Sequence, residues 1–260
     1  MRKDLLWALA LAAALVGVSA APLASAVPNN QKIVATIHPS KLPGKKRVPI
    51  SLFTDVSATN PGNPNQLPNP TTLSKVDYDK DGAIYQKGIP TCDPSQFTAA
   101  TTTAQAKSKC GPALLGGGSA QIAVPTGAST PPLQVQAVVT AFNGAHRTIV
   151  LFSYNSLSGA QTLVGTIRKA DPGTPPQGAG KAYGNTLTVP VPPLAGGTAV
   201  ITEFNTKVKK IYHYKGKKRS YVSSRCGPDH RLSAQARFTD NQGQVAVGTY
   251  SQKCKPKKTH

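Results

Sequence analysis

The sequence predicts an all-β protein, an antiparallel β-sandwich of the jelly-roll or immunoglobulin-like type with about eleven short strands. Apolar and polar residues alternate with a period of two in many segments, as in strands with one buried face. The 260 residues include 23 Gly and 23 Pro, which supply turns, whereas Glu occurs only at Glu203 and Met only at the start. Residues that build solvent-facing helices are therefore scarce apart from Lys. Strands without intervening helices favour antiparallel sheets, and hence a sandwich or a barrel.

The alternation defines the strands in order. It is clear in Val48–Val56 and clearer in Leu133–Ala141, and Asn143-Gly144 after the latter predicts a hairpin turn. One long strand, Ala199–Tyr214, places Val200 and Tyr212 on one face. The predicted strands are Ile33–His38, Val48–Val56, Ala120–Val124, Leu133–Ala141, Thr148–Tyr154, Thr162–Arg168, Thr186–Val191, Ala199–Tyr214, Ser220–Arg225, Leu232–Thr239 and Gln244–Tyr250.

A single short helix interrupts this pattern. Asp93-Pro94-Ser95-Gln96 provides an N-cap, a proline at the first helical position and a capping-box Gln. The sequence that follows, up to Lys109, contains Ala and Gln, although Thr101–Thr103 weaken its helix propensity. We expect a helix here, stapled at its two ends by Cys92 and Cys110.

The N-terminal segment has the order of a secretory signal peptide. Arg2 and Lys3 precede an apolar run, and small-residue cleavage sites follow at Ala20 and Ala26. Cleavage after Ala26 is favoured, with an uncleaved membrane anchor as the alternative. Residues 1–26 are then the signal peptide, and residues 27–260 form one secreted domain with a basic C-terminal tail and no transmembrane span. Cleavage reduces the net charge from +20 to +19, since it removes two of 30 basic and one of 10 acidic residues.

The four cysteines, Cys92, Cys110, Cys226 and Cys254, are expected to form disulfides in an exported protein. Three pairings exist, and locality in the chain favours Cys92–Cys110 and Cys226–Cys254. Two other roles are weaker. A zinc site would need closely spaced ligands, and the sequence has no Cys-x-x-Cys pair. A Cys226 nucleophile with His230 as its base would need a free thiol, and the longer signature of exported cysteine enzymes is absent.

An acidic motif, Asp77-Tyr78-Asp79-Lys80-Asp81-Gly82, resembles the first half of a calcium-binding EF-hand loop. Its three carboxylates, from Asp77, Asp79 and Asp81, stand at alternate positions before a Gly. The match ends there, because position twelve is Gly88 instead of a bidentate Glu. Calcium is therefore the one cofactor that the sequence suggests. The alternative is a polar hairpin with Asp81-Gly82 as its turn, between Lys75–Tyr78 and Ala83–Gln86.

The most basic segment lies near the C-terminus and interleaves cations with Tyr212, His213 and Tyr214. This composition is typical of surfaces that bind phosphates and stack on rings. The alternative is a solvated strand face that prevents edge pairing. Residues 207–260 hold 14 basic and two acidic residues, so most of the excess charge is local. The candidate anion-binding residues are Lys207, Lys209, Lys210, Lys215, Lys217, Lys218 and Arg219.

Several short motifs resemble a group of secreted β-rich proteins of high-GC Gram-positive bacteria. They are Pro90-Thr91-Cys92-Asp93-Pro94, Ala141-Phe142-Asn143-Gly144, Tyr183-Gly184-Asn185-Thr186-Leu187 and Ser220-Tyr221 before Cys226-Gly227-Pro228. The resemblance extends over nearly the whole mature chain. It implies an exported bacterial β-rich protein and brings no catalytic residues with it.

Together these observations predict a secreted, non-catalytic extracellular or cell-envelope protein. Its basic C-terminal surface would bind anionic envelope polymers or lipid headgroups, because an exported protein seldom meets nucleic acid. The alternative is an extracellular hydrolase acting on envelope carbohydrate or peptide. A glycosidase would need two carboxylates flanking the scissile bond, and no pair is marked in the sequence.

Overall fold

The computed structural model describes residues 28–63, 66–127, 130–170 and 183–257. The predicted signal peptide lies outside these residues. In chain order the strands are β1 (Asn30–His38), β2 (Lys41–Pro43), β3 (Val48–Pro49), β4 (Ser51–Thr59), β5 (Thr71–Asp79), β6 (Gly82–Ile84), β7 (Leu114–Val124), β8 (Leu133–Asn143), β9 (Thr148–Asn155), β10 (Gly159–Lys169), β11 (Tyr183–Pro190), β12 (Val200–Val208), β13 (Ile211–Tyr214), β14 (Lys217–Ser220), β15 (Val222–Ser224), β16 (Arg231–Asp240), β17 (Val245–Lys253) and β18 (Lys255–Lys257). The helix α1 spans Thr103–Cys110, and short 3₁₀ turns occur at Pro94–Gln96, Gly111–Ala113 and Ala195–Gly197.

Eleven of these strands form one antiparallel sheet, in the order β1-β4-β12-β7-β8-β9-β10-β11-β5-β16-β17. The sheet curls until its first and last strands face each other. There the Ile37 N–H donates to Gln252 Oε1 at 2.7 Å, and Gln252 Nε2 donates to the Ile37 carbonyl at 3.3 Å. The result is a nearly closed cylinder. The all-β class is therefore confirmed, whereas the two packed sheets of a sandwich are not confirmed.

The interior of the cylinder collects apolar residues from strands that are far apart in the sheet. Leu115, Leu151, Ile167 and Leu232, from β7, β9, β10 and β16, belong to one buried cluster. β7 carries a run of glycines that lets β12 approach it closely. A Cβ at Gly118 would lie 2.0 Å from the Asn205 carbonyl oxygen of β12. Only glycine permits this contact.

All eleven predicted strand segments contain at least part of a strand. Two corrections to the predicted elements are needed, one to a predicted strand and one to the segment around Asp77. The predicted strand Ala199–Tyr214 is divided, because β12 ends at Val208 and β13 pairs with β14 in a separate hairpin. Thr71–Asp79 forms a central strand of the main sheet, between β11 and β16. The turn at Asp81 exists, but the polar hairpin predicted around it does not, since β6 pairs with β15.

The helix is confirmed in a shorter form. Asp93 caps only the 3₁₀ turn Pro94–Gln96, where its carboxylate accepts from the Ser95 N–H at 2.9 Å. The α-helix begins after Thr102, which forms a capping box with Gln105. The threonines that lower helix propensity thus start this helix instead of interrupting it.

Both predicted disulfides are present, Cys92–Cys110 and Cys226–Cys254. The first fastens α1 to the outside of the cylinder, beside a cluster that includes Phe142 and Phe152. The second joins the segment before β16 to the end of β17. Among the described residues no cysteine is free.

Tyr78 and Tyr221 make the stability of the fold sensitive to alkali. Burial raises the pKa of both hydroxyls, and each is close enough to another acidic group to raise it further. An unfolded tyrosine ionises near pH 10, so the stabilisation is complete below that pH and is lost as the pH rises above it. We expect the free energy of unfolding in urea to fall above about pH 10. The fall should be about 1.4 kcal/mol per pH unit for each tyrosine that stays protonated in the folded state.

The variant Tyr221→Phe should reduce the slope of the free energy of unfolding against pH, because one tyrosine that ionises only in the unfolded state is removed. Tyr214→Phe, in the exposed hairpin, is the matched control and should retain the wild-type slope. An equal slope in Tyr221→Phe and wild type would contradict the assignment to Tyr221.

Candidate anion-binding surfaces

The structure divides the predicted basic segment among three places. Lys207 is exposed in β12, and Lys209 and Lys210 lie in the connection to β13. The remaining cations belong to the hairpin of β13 and β14, whose turn is Lys215-Gly216 with φ of 50° and 69°. Lys215, Lys217, Lys218 and Arg219 are exposed there.

Lys210 has a structural role. Its ammonium group donates to the carbonyls of Pro112 at 2.7 Å and Leu114 at 3.0 Å. Burial lowers its pKa. Because these carbonyls occupy two of its three donors, Lys210 is poorly placed to receive an external anion.

The aromatic residues of the segment fasten the hairpin to the protein. The Tyr212 hydroxyl donates to the carbonyls of Tyr85 at 3.3 Å and Lys87 at 3.0 Å. Tyr214 packs so closely on Gly88 that a Cβ there would lie 2.2 Å from its ring. The Arg219 guanidinium stacks over Tyr85 at 5.4 Å from the ring centre. The rings are thus engaged within the protein, and the exposed part of the hairpin is mainly a cluster of lysines.

A second basic surface lies on the outer wall of the cylinder, across β10, β11, β5 and β16. It is a concave depression of about 490 Å³. We call it the outer-wall depression. Its lining residues are Lys75, Thr166, Arg168, Lys169, Thr186, Thr188 and Arg237.

Strand register assembles the outer-wall depression. Thr166 pairs with Thr188, Thr188 with Lys75, and Lys75 with Arg237, which gives one row across four strands. In the next row Arg168 pairs with Thr186. The alternate residues of these strands, such as Val76 and Leu187, face the interior. Period-two patterning therefore places the polar side chains of both rows on the same outer face.

The electrostatics of the depression favour an anion. Four cations surround it, and a carboxylate beside them, that of Asp77, is buried and paired with Arg237 Nη2 at 2.7 Å. Lys75 and Arg237 are direct cross-strand neighbours. Like charges in that position repel and destabilise a sheet. The carboxylate of Asp77 already compensates Arg237, so an external anion would be attracted mainly by Lys75, Arg168 and Lys169.

Three polar atoms near Asp77 are buried, and of their residues only Arg237 lines the depression. They are the Tyr183 hydroxyl, Gln235 Oε1 and Arg237 Nε, none of which has a hydrogen-bond partner among the described residues. Burial first, and then the charges of Asp77 and Asp79, raise the pKa of Tyr183, so its hydroxyl stays protonated and can donate.

The three carboxylates of the predicted calcium motif are all buried, and each is engaged separately. Asp77 accepts from Arg237 and from the Thr186 hydroxyl. Asp79 accepts from the backbone N–H groups of Asp81 and Ser233, at 2.9 Å each. Within the described ranges, no three His, Cys, Asp or Glu residues are grouped so that they could hold a metal ion. Calcium binding at these residues stays a prediction.

Asp81 joins two distant parts of the chain. Its carboxylate accepts from Arg225 Nε at 2.8 Å, and its carbonyl accepts from Arg47 Nε at 3.0 Å and from the Arg225 N–H at 3.2 Å. The turn after β5 is thereby fixed beside Cys226. Because Cys226 is in the predicted disulfide, it has no free thiol to act as a nucleophile with His230, which excludes that weaker alternative.

No helix in the described part of the chain has the length and apolar character needed to cross a membrane. No protein-family model, curated protein or solved structure matches this chain. The resemblance to secreted proteins of high-GC Gram-positive bacteria therefore stays a prediction. The geometry of the two basic surfaces is the remaining guide to function.

Proposed function

We propose that this chain is a secreted, non-catalytic protein of the extracellular space or cell envelope that binds an anionic polymer at the outer-wall depression. The observation that carries the proposal is the concave set of four cations and three threonine hydroxyls on one rigid sheet face. Guanidinium and ammonium groups bind phosphate and carboxylate through charge-assisted hydrogen bonds. The hydroxyls of Thr166 and Thr188 supply further donors, whereas that of Thr186 already donates to Asp77.

The rows of the depression suit a chain-like ligand. Thr166, Thr188, Lys75 and Arg237 follow one another across four adjacent strands. Neighbouring strands are about 4.8 Å apart, so this row extends over roughly 14 Å. A polymer with a repeating phosphate or carboxylate could contact several of these groups at once. The lysine-rich hairpin adds positive potential that would raise the rate of encounter.

Two further observations agree with an extracellular location. Disulfides persist in oxidising compartments, and the described residues contain two of them. The N-terminal segment has the residue order predicted for a secretory signal peptide. No observation on the described residues favours the alternative function, an extracellular hydrolase. Its thiol variant is excluded, because Cys226 is oxidised.

The test compares two variants that each lose three positive charges. The outer-wall variant carries Lys75→Gln, Arg168→Gln and Lys169→Gln, and the hairpin variant carries Lys217→Gln, Lys218→Gln and Arg219→Gln. Arg237 is left in place, since it neutralises the buried Asp77. Binding to inorganic polyphosphate, to polygalacturonate and to phosphatidylglycerol vesicles would be measured at low and at physiological salt.

We expect the outer-wall variant to bind polyphosphate or polygalacturonate at least about tenfold more weakly than wild type, and the hairpin variant to stay within about threefold. Binding should weaken with salt, because exposed charges are screened. If the hairpin variant loses more affinity than the outer-wall variant, the binding site is the hairpin instead of the outer-wall depression. Equal losses in the two variants would show that net charge alone is responsible, and a preference for the vesicles would indicate lipid headgroups as the ligand.

A further inference from the structure

The inward face of the cylinder is apolar but incompletely filled. About eight strands make a cylinder just wide enough for side chains to fill, and this sheet has eleven. Apolar side chains that point inward from β4, β10, β11 and β12 are accordingly only half-buried. They are Leu52, Val56, Leu163, Leu187, Ile201 and Phe204. Because the side chains leave interior space, this hollow is a candidate ligand site separate from the outer-wall depression.

Three neighbouring sections of this hollow share lining residues, and we call them the interior channel. A rim section of about 110 Å³ shares Thr71, Val191 and Ile201 with a middle section of about 80 Å³. The middle section shares Val189 and Phe204, among others, with a deep section of about 80 Å³. A fourth cavity of about 60 Å³ adjoins the deep section, with which it shares Leu52 and Val222, and its lining includes Asp79, whose carboxylate accepts from two backbone N–H groups. The channel therefore runs from the end of the cylinder near Thr71 into the core.

The channel is long and narrow. Ala58, Val56, Thr54 and Leu52 follow its wall from the middle section to the deep section. At a rise of about 3.3 Å per residue, these positions of β4 extend over roughly 20 Å. A slender chain fits this shape better than a compact ring system.

The lining is uncharged as well as apolar. Within the described part of the chain, no Asp, Glu, Lys, Arg or His lines any of the three sections. The polar groups of the deep section include the hydroxyls of Tyr78 and Thr54, which lie 3.5 Å from each other. An ionised group would be costly to bury here without a partner. Polar side chains such as Asn241 occur at the rim, where the head of an amphiphile would lie.

We propose that the interior channel binds a single uncharged aliphatic chain, with its tail toward Tyr221 and Val222 and its polar end at the rim. The occupant is a long-chain alcohol or a comparable neutral single-chain lipid. The inference is independent of the proposed anion site, since it depends on the opposite face of the sheet.

The binding test uses an uncharged fluorescent probe, N-phenyl-1-naphthylamine, with straight-chain 1-alkanols from octanol to hexadecanol as competitors. We expect saturable binding of one probe per chain. Competitor affinity should rise by about fourfold for each added methylene, the value for burial of a CH₂ group, until the channel is filled. Competition that does not depend on chain length, or no saturable probe binding, would overturn the proposal.

Two neighbouring residues of β10 provide matched variants. Leu163 lines the middle section, whereas Val164 is exposed on the outer wall. We expect Leu163→Trp to weaken probe binding at least tenfold and Val164→Trp to leave it unchanged. Ser74→Leu, which narrows the junction of the middle and deep sections, is a second variant in case Leu163→Trp fails to fold. Wild-type binding in a folded Ser74→Leu or Leu163→Trp protein would overturn the proposal.

Discussion

Replacement of both Cys226 and Cys254 by alanine is expected to lower the free energy of unfolding by about 3.5 kcal/mol. The disulfide closes a loop of 28 residues. The expected loss corresponds to the loop entropy that the cross-link removes from the unfolded chain. Alanine is the appropriate replacement, because both sulfurs are buried. Equilibrium unfolding in urea, monitored by circular dichroism, measures the difference. A loss below about 1 kcal/mol would contradict this prediction.

The Cys226–Cys254 disulfide also supports the place where the cylinder closes. Cys254 lies between β17 and β18, and β18 pairs in parallel with β2. Loss of the Cys226–Cys254 disulfide should therefore increase hydrogen exchange in β17. The double variant Cys92→Ala, Cys110→Ala is the control, with an expected loss of about 3 kcal/mol for its 18-residue loop. In this control variant, the increase in hydrogen exchange should be confined to α1 and the 3₁₀ turns beside it.

The second large effect is expected at the Asp77–Arg237 ion pair. Arg237→Met should lower the free energy of unfolding by about 3 kcal/mol, because it leaves the carboxylate of Asp77 buried without its counter-ion. The Asp77 side chain is only 1% exposed, whereas that of Arg237 is 31% exposed. The expected loss is therefore at the lower end of the range for buried pairs. Urea unfolding at neutral pH measures it.

Arg168→Met is the matched control, since Arg168 is exposed on the same outer face. It should change stability by no more than about 0.5 kcal/mol. In the Arg237→Met background, Asp77→Asn should restore part of the loss, because the unpaired charge is then removed. Equal losses in the two arginine variants, or no recovery when Asp77→Asn is added to Arg237→Met, would contradict a buried-charge explanation.

The strands and their local partners could be predicted well from sequence. The alternation in Leu133–Ala141 identified β8, and the turn after it identified the hairpin with β9. The loop of Gly144–Arg147 differs from a two-residue Asn-Gly turn, since His146 and Arg147 are the residues with positive φ. Asn143 is instead buried, and its amide donates to the carbonyls of Ile89 and Pro90. The position of a turn is a local property, but the contacts of its side chains are not.

The protein partners of the acidic motif could not be predicted for a related reason. Asp77 and Asp79 belong to β5, which lies between β11 and β16, both distant in sequence. Their partners, Arg237 and Ser233, come more than 150 residues later. The sequence around Asp77 resembles the first half of a calcium loop, and only the structure shows that its buried carboxylates also have protein partners.

The outer-wall depression was missed because its members are distributed from Lys75 to Arg237. Each occupies a polar position of an alternating strand, which is the common pattern of a solvated sheet face. The density of charge pointed to Lys207–Arg219 instead. The remaining signal in the sequence was the threonine and cation content of four strands, and it indicated no site until those strands were known to be neighbours.

Local patterns in the sequence were sufficient for the all-β class, most strands and both disulfides, because period-two alternation, turn residues and short cysteine spacings act over few residues. Strand order, register and curvature depend on contacts between residues far apart in the chain, such as those of β5 with β16 and of β1 with β17. Register placed Lys75 beside Arg237, and curvature left the interior channel between Val56, Leu163 and Phe204. Both candidate sites are therefore products of long-range pairing, which alternation along a single strand does not encode.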